Sequence, residues 1–283
     1  YIASINQSET MPESIASKAF MKALYGEHPY SFPSSGEVKS IKKINKKDLQ
    51  DFYKNNYLSN ELSVVIVGDI SRVEAEDLAY KISAGFPENK RAKAIPLVNY
   101  NKPQDIKISH PSKQAHLYYG APIIKRGDPD FLTLYLGNYI LGGGGFVSRL
   151  TQEIREDRGL AYSVYSYFMP YIEAGPFQIG IQTKKDQVNE AKKIIQKTVS
   201  EFIKNGPSPK ELRRAKDFMI GGFPLRLDSN KSILAYVSMM AFYKYPLDYL
   251  DTFRDKIAKI TSEEIKSAFQ RRVDMSKFST VIV

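Results

Sequence analysis

The sequence predicts an α+β fold built from two homologous α/β domains, each an antiparallel-rich sheet packed against helices, with the first domain incomplete. Three observations lead to this prediction. The chain has 283 residues, of which 42% are hydrophobic, so it can bury one large core or two medium ones. Helical and strand periodicities both occur along it. Finally, its last segment repeats an earlier segment position by position.

The repeat organises the whole chain. Residues 44–67 align with residues 260–283 without a gap, at a constant offset of 216. Apolar residues occupy the same positions in both segments; for example, Leu49 matches Ile265. Further matching pairs are Tyr53 with Phe269, Leu62 with Phe278 and, with a small slip, residues 23–25 with 241–243. A duplicated domain predicts that on the order of 100 residues, the counterpart of residues 105 to about 225, precede Tyr1. The alternative is chance similarity between two helix–strand units.

Residues 1–86 are predicted to be the C-terminal half of the first domain. Ile15, Ala19 and Leu24 recur at helical spacing, and the apolar run 62–68 ends at a glycine, which is typical of a buried strand. In order, we predict a helix before residue 26, a turn-rich loop at 28–36, a short helix at 48–53, a strand at 62–68 and an amphipathic helix at 73–84. Residues 87–104 lack periodicity and carry Pro, Asn and Lys, which predicts an interdomain linker.

Residues 105–283 are predicted to form the second domain. An apolar helix ends at a run of glycines, and residues 173–175 form a turn between two alternating strands. In order, we predict strands at 105–110 and 113–121, helices at 131–141 and 148–157, a hairpin of strands at 161–171 and 176–183, helices at 186–205, 208–221, 229–243, 247–260 and 262–272, and a last strand at 280–283.

Composition and motifs exclude several function classes. Net charge is +10, but the basic residues are dispersed apart from 39–47 and accompany no nucleic-acid-binding motif, so we expect no nucleic-acid partner. No apolar run approaches 18 residues, so we expect no membrane span. The absence of cysteine excludes disulfides, thiolate metal sites and a cysteine nucleophile. His28, His110 and His116 fit no zinc-ligand pattern, and no Gly-x-Ser-x-Gly elbow occurs.

Two motifs in the second domain could carry chemistry. Gly142, Gly143, Gly144 and Gly145 either cap a helix and form a flexible turn, or leave backbone N–H and C=O groups open to an extended peptide. Arg155 lies late in a predicted helix, and Tyr162 begins the next strand after a turn at Gly159. Together they could hydrogen-bond a substrate carbonyl or a developing oxyanion. Alternatively, Arg155 compensates the helix dipole and Tyr162 packs at a sheet edge.

The sequence resembles the pitrilysin-type (M16) zinc metallopeptidase family over nearly its whole length. The stretches that carry this resemblance are residues 23–30, 65–69, 142–150 and 155–162. The resemblance implies a pair of similar α/β domains, a substrate- and oxyanion-binding role for Arg155 and Tyr162, and a substrate-handling role for Gly142–Gly145. The inverted zinc motif His-x-x-Glu-His of the family is absent from this chain, and the equivalent helix, 131–141, has no ligands.

The resemblance implies a component of an M16-like zinc metallopeptidase acting on peptides or unfolded segments. It implies no cofactor in this chain, zinc in the complete enzyme and no peptidase activity of the chain alone. The implied partners are a peptide substrate and a zinc-bearing M16-like domain or subunit, as a dimer. The alternative is a noncatalytic scaffold or chaperone-like subunit of a peptidase pair. A periplasmic or otherwise exported location is expected from the absence of cysteine and from the resemblance.

Overall fold

A five-stranded mixed sheet forms the centre of the protein, for which a computed structural model describes residues 1–88 and 94–283. Its strands are β1 (Asp105–Lys107), β2 (Gln114–Ile124), β3 (Ala161–Phe168), β4 (Gly175–Lys184) and β5 (Ser279–Ile282). They are ordered β1-β5-β2-β4-β3, and only β1 and β5 pair in parallel. The predicted α+β class with an antiparallel-rich sheet is confirmed.

The described part of the chain contains twelve α-helices. They are α1 (Ile2–Ser8), α2 (Pro12–Tyr25), α3 (Val38–Ile41), α4 (Lys46–Asn56), α5 (Arg72–Ser83), α6 (Phe131–Asn138), α7 (Arg149–Thr151), α8 (Val188–Asn205), α9 (Pro209–Gly221), α10 (Asn230–Tyr243), α11 (Tyr249–Lys259) and α12 (Ser262–Arg272). None of these helices has the length and apolar character needed to cross a membrane.

The larger hydrophobic core lies on one face of the sheet. Alternate residues of β2 and β4 point to this face; Leu117 and Ile181, which pair across the two strands, are an example. Helices α6, α8 and α12 supply the facing side chains, among them Leu134, Phe202 and Phe269, which are fully buried. Burying each such side chain contributes roughly 1.5–3 kcal/mol, so this layer supplies much of the stability of residues 105–283.

Helix α2 covers the opposite face of the same sheet. Phe20 stacks on Tyr118 of β2 with ring centroids 5.6 Å apart, and Ala16 and Leu24 pack in the same cluster as Val281 of β5. A helix from the predicted first domain therefore shields the sheet of the predicted second domain. The two segments share a small hydrophobic core, which the sequence did not indicate.

The repeated segments have the same local structure. Helices α4 and α12 begin and end at positions that differ by the offset of 216, and each is followed by a 3-10 turn, Ser59–Glu61 and Met275–Lys277. Each helix starts with a capping box, at Asn45 in one and at Thr261 in the other. A capping box satisfies backbone N–H groups through side chains a few residues apart, so both copies encode the start of the helix locally.

The predicted strand at 62–68 is wrong. Its counterpart β5 lies between β1 and β2 and bonds to both, whereas residues 62–68 pair with no strand in the described part of the chain. A strand needs a neighbour to satisfy its backbone groups, so an apolar pattern alone does not create one. The helices that precede these two segments also differ in burial. Leu49 of α4 is 62% exposed, whereas its repeat partner Ile265 of α12 is fully buried.

Residues 94–104 of the predicted linker form neither helix nor strand. The linker is nonetheless attached to α2, since the Asn101 amide donates to the carbonyl oxygens of Ala23 and Leu24, each at 3.2 Å. Residues 89–93 of the predicted linker lie outside the described residues.

Candidate functional site

Phe146, Arg155 and Tyr162 form a contact group that we call the Arg155 cluster. The guanidinium carbon Cζ of Arg155 lies 4.4 Å from the centroid of the Phe146 ring and 5.2 Å from that of Tyr162. Both distances are typical of cation–π contacts, which contribute about 0.5–1 kcal/mol at exposed sites. The predicted pair is thus adjacent in space, and an aromatic residue that the sequence did not single out joins it.

The backbone between Arg155 and Tyr162 explains how they meet. Instead of one helix at 148–157, the short α7 continues as a π-helical turn, Gln152–Glu156, which carries Arg155. Gly159, with φ of +62°, then turns the chain into β3. The register of β3 against β4 shifts between residues 161 and 163, so Tyr162 stands out of the ladder and is 81% exposed.

The predicted boundary of the preceding helix at Leu141 is also wrong. The α-helix α6 ends at Asn138 and continues as a second π-helical turn, Tyr139–Gly143, which contains the first two glycines of the run. Such π turns are rare and often occur at functional sites. One π turn therefore comes shortly before Phe146 in the chain, and the other carries Arg155.

The four glycines differ in their surroundings. Gly142 is buried, and a Cβ there would lie 2.3 Å from the Ser166 hydroxyl oxygen, so this position brings the turn against β3 rather than into solvent. Gly143 and Gly145 are exposed and Gly144 is half-buried. Gly145 has φ of +59°, a conformation that begins the 3-10 turn Gly145–Val147. The last three glycines are the ones whose backbone could contact a peptide.

An ion pair anchors α7, the helix between the glycine run and Arg155. Arg149 donates from Nε and Nη2 to the two carboxylate oxygens of Glu211 at 2.7 and 2.8 Å, and from Nη2 to the Gly206 carbonyl oxygen at 3.1 Å. Burial would raise the pKa of Glu211, but hydrogen bonds from Arg149 and Ser208 outweigh it and lower this pKa to about 2. The glutamate is therefore charged at neutral pH, and the anchor is intact.

The free edge of the sheet lies beside the Arg155 cluster. Strand β3 is the last strand in the sheet order, and within residues 1–88 and 94–283 only β4 pairs with it. Tyr162 is the second residue of β3, and Phe146, which is 67% exposed, contacts the same Arg155 guanidinium as Tyr162. An unpaired strand edge offers backbone N–H and C=O groups to an extended chain.

A groove lies on the side of the sheet that α2 covers. This groove of about 1200 Å³ runs between α2 and the 29–36 loop and reaches Tyr118 and Tyr171. It contains none of the residues predicted as functional. Its lining mixes apolar side chains with serines, glutamates and lysines. Because the residues predicted as functional lie elsewhere, we place the candidate site at the Arg155 cluster.

The histidines of the chain do not form a metal centre. His28 bonds to the Pro96 carbonyl oxygen at 2.8 Å and accepts from the Tyr30 amide, and His110 accepts from the Ser112 amide. Burial lowers the pKa of His116, which lies on β2. Among the described residues, no three or more His, Asp or Glu side chains are grouped so that they could hold a metal ion. The residues present therefore do not fit a zinc site.

Comparison with known proteins identifies the family of the chain. Residues 43–219 match the family model described as the peptidase M16 inactive domain. The chain belongs to the M16 peptidase family. The match begins just before the first repeated segment and ends within α9, so it includes every residue of the Arg155 cluster.

Relatives of this M16 chain include proteins with contrasting descriptions. A Helicobacter pylori protein called non-peptidase homolog YmxG is 28% identical over 284 aligned positions, which span 100% of this chain and 65% of the relative. A Bacillus subtilis protein called uncharacterized zinc protease YmxG is 29% identical over 228 positions, 81% of this chain and 55% of the relative. The M16 chain thus spans less than two thirds of the length of either.

Solved structures agree with this family assignment. The peptidase M16 inactive domain from Pseudomonas fluorescens superposes with a TM-score of 0.95 at 37% identity, covering 99% of this chain and 68% of that one. A protease from Helicobacter pylori has the same fold, with a TM-score of 0.85 at 18% identity, covering 97% of this chain and 67% of that one. The resemblance inferred from residues 142–150 and 155–162 is confirmed at the level of the family.

Proposed function

We propose that this chain is the substrate-holding component of an M16-like zinc metallopeptidase that acts on peptides or unfolded segments. The observation that supports it is the Arg155 cluster, in which a guanidinium and an exposed phenol meet at the free edge of β3. Zinc and its ligands are supplied by an M16-like domain or subunit outside the residues described here, in a dimer or a longer chain. The exported location expected from the sequence belongs to the same proposal.

Peptide binding begins with strand addition. An extended segment pairs with β3, whose outer N–H and C=O groups have no strand partner among the described residues. Main-chain hydrogen bonds of this kind hold any sequence, which suits an enzyme that handles unfolded segments. Gly143 and Gly145, which are exposed and close to Phe146 in the chain, offer further backbone groups to the same peptide.

Arg155 and Tyr162 act on the peptide carbonyl. The phenol of Tyr162 is 81% exposed and can donate one hydrogen bond, while Arg155, held against two rings, can donate from its remaining N–H groups. Donors aimed at a carbonyl oxygen stabilise the negative charge that develops there when the carbonyl is attacked. The two side chains then bind the transition state more tightly than the ground state, which is what accelerates a reaction.

A second function is favoured by one comparison. The Helicobacter pylori relative that matches the whole of this chain is called a non-peptidase homolog. Under this alternative the chain is a noncatalytic scaffold or chaperone-like subunit of a peptidase pair. The Arg155 cluster would then hold a peptide without contributing to its cleavage.

The Tyr162→Phe variant separates these two functions when tested in the full-length protein together with its zinc-bearing partner. Loss of one donor to an oxyanion costs on the order of 10²-fold in kcat, so we expect kcat/KM for a fluorogenic peptide to fall by about that factor. Tyr80→Phe, a change at another exposed tyrosine on α5, is the matched control and leaves kcat/KM unchanged. An unchanged kcat/KM in Tyr162→Phe with intact peptide binding favours the scaffold.

A further inference from the structure

Two large exposed apolar side chains, one of them part of the Arg155 cluster, lie on a turn that hydrogen bonds hold in place. Phe146 and Val147 belong to the 3-10 turn Gly145–Val147. The buried hydroxyl of Ser148 donates to the Gly145 carbonyl oxygen at 2.8 Å and lies 3.0 Å from the Thr151 hydroxyl oxygen. The turn is ordered before any ligand arrives, so burying these side chains on binding requires little further loss of backbone entropy.

The position of the turn relative to β3 determines which part of a peptide could reach it. Val164, Ser166 and Phe168 are the buried side of β3, and Val164 and Phe168 join the core formed with the helices. Gly142 packs against Ser166, so the glycine run lies on this helix side of the strand. A peptide paired with β3 points every second side chain to the same side.

The ring of Phe146 links this apolar surface to Arg155. Its centroid lies 4.4 Å from the Arg155 guanidinium carbon, so a side chain that packs on Phe146 lies next to the proposed carbonyl-binding groups. The Arg155 guanidinium, which repels other cations, lies against this ring, and the Glu156 carboxylate is already paired with Arg155 at 3.4 Å. The surface is therefore suited to an apolar side chain rather than to a cationic one.

We infer that Phe146 and Val147 form a specificity site that selects extended peptides carrying a large apolar side chain on the helix side of β3. This inference rests on the proposed function, because it assumes that a peptide pairs with β3. It adds the class of residue that the site prefers and assigns that preference to two side chains outside the Arg155–Tyr162 pair. Phe146 additionally positions Arg155 through the ring contact.

The test uses a series of peptides that differ only at one central position, which carries Phe, Leu or Ser. The affinity of each peptide for the full-length protein is measured by fluorescence anisotropy. The wild-type protein is expected to bind the Phe peptide about tenfold more tightly than the Ser peptide, the effect of burying most of one aromatic side chain. Phe146→Ala is expected to reduce this ratio to within about twofold, because only the Phe peptide loses the apolar contact with the ring. Leu247→Ala, at a 93% exposed residue between α10 and α11, is the control and keeps the wild-type ratio.

Two outcomes overturn the inference in distinguishable ways. If the wild-type protein binds none of the peptides, the proposed function fails and the specificity site fails with it. If peptides bind and Arg155→Ala weakens all of them, but Phe146→Ala keeps the Phe-to-Ser ratio, only the specificity site is rejected. A shift of oligomeric state in Phe146→Ala, without a change of that ratio, assigns the surface to a second copy of the chain and likewise rejects it.

Discussion

Asn138 and Ser166 bond to each other in both directions: the Asn138 amide donates to the Ser166 carbonyl oxygen at 2.8 Å, and the Ser166 hydroxyl donates to Asn138 Oδ1 at 2.6 Å. Both side chains are buried. Asn138 is the last residue of α6 and Ser166 is in the middle of β3, so the pair ties the start of the glycine turn to the edge strand. Tyr162 of the Arg155 cluster lies on this edge strand, and Phe146 follows the glycine turn in the chain.

Ser166→Ala is expected to destabilise the protein by about 1–3 kcal/mol, because Asn138 Oδ1 loses its hydroxyl donor inside the core and a buried unpaired acceptor is costly. The measurement is the free energy of unfolding in urea. Ser4→Ala, at an exposed position on α1, is the control and should change that free energy by less than about 0.5 kcal/mol. Equal effects of the two substitutions would show that the buried pair does not stabilise the turn.

Glu211→Gln is expected to remove a pH-dependent part of the stability. The pKa of Glu211 is lowered from 4.5 to about 2 in the folded protein, so its contribution is present above the unfolded pKa and disappears as the pH falls from about 4.5 to 2. At neutral pH we expect a loss of about 2 kcal/mol after allowance for solvent screening. Unfolding free energies of both proteins between pH 7 and pH 2.5 provide the check. A difference between them that stays constant over this range would contradict the assignment.

Local signals in the sequence were sufficient for many of the helices. The helix predicted at 262–272 is found as Ser262–Arg272, and the one predicted at 186–205 as Val188–Asn205. In the first case the cap at Thr261 and its partner Glu264 lie three residues apart, so nothing distant is needed to define the boundary. The proximity of Arg155 and Tyr162 also follows from a short connection with a glycine turn.

The features that sequence reasoning missed depend on distant partners. The run 62–68 has a strand pattern but no neighbouring strand among the described residues, and pairing is not encoded in the run itself. The π turns at 139–143 and 152–156 both contact β3, a strand that lies further along the chain. Phe146 follows four glycines and shows no periodicity, so only its place in space, against Arg155, identifies it.

The repeat makes a prediction about α10. Val281 and Val283 pack in the same cluster as α2, and at the offset of 216 their counterparts are Val65 and Val67. Because α2 corresponds to α10, Val65 is expected to face α10 in the full-length protein. The exposed Phe242, 64% accessible on α10, is the counterpart of the buried Leu24. This packing would be the reciprocal of the contact between α2 and the described sheet.

Disulfide trapping tests that packing in a chain that has no cysteine of its own. Val65→Cys combined with Ser238→Cys, the position that corresponds to Phe20, is expected to cross-link within one molecule under mild oxidation. Ile66→Cys combined with Ser238→Cys is the control, since Ile282, the counterpart of Ile66, faces the other core. Equal cross-linking of the two pairs, or none of either, would reject the reciprocal arrangement.

The most direct measurement of the central claim compares two neighbouring arginines in peptide binding. Arg155 contacts Phe146 and Tyr162, whereas Arg158, three residues further along the chain, pairs with Glu153 at 2.7 Å. We predict that Arg155→Ala weakens the affinity of the full-length protein for an unfolded peptide by at least about tenfold, the typical loss for a hydrogen bond to a charged group, and that Arg158→Ala changes it by less than about twofold. Equal effects of the two substitutions, or unchanged binding by Arg155→Ala, would contradict the assignment of the peptide site to the Arg155 cluster.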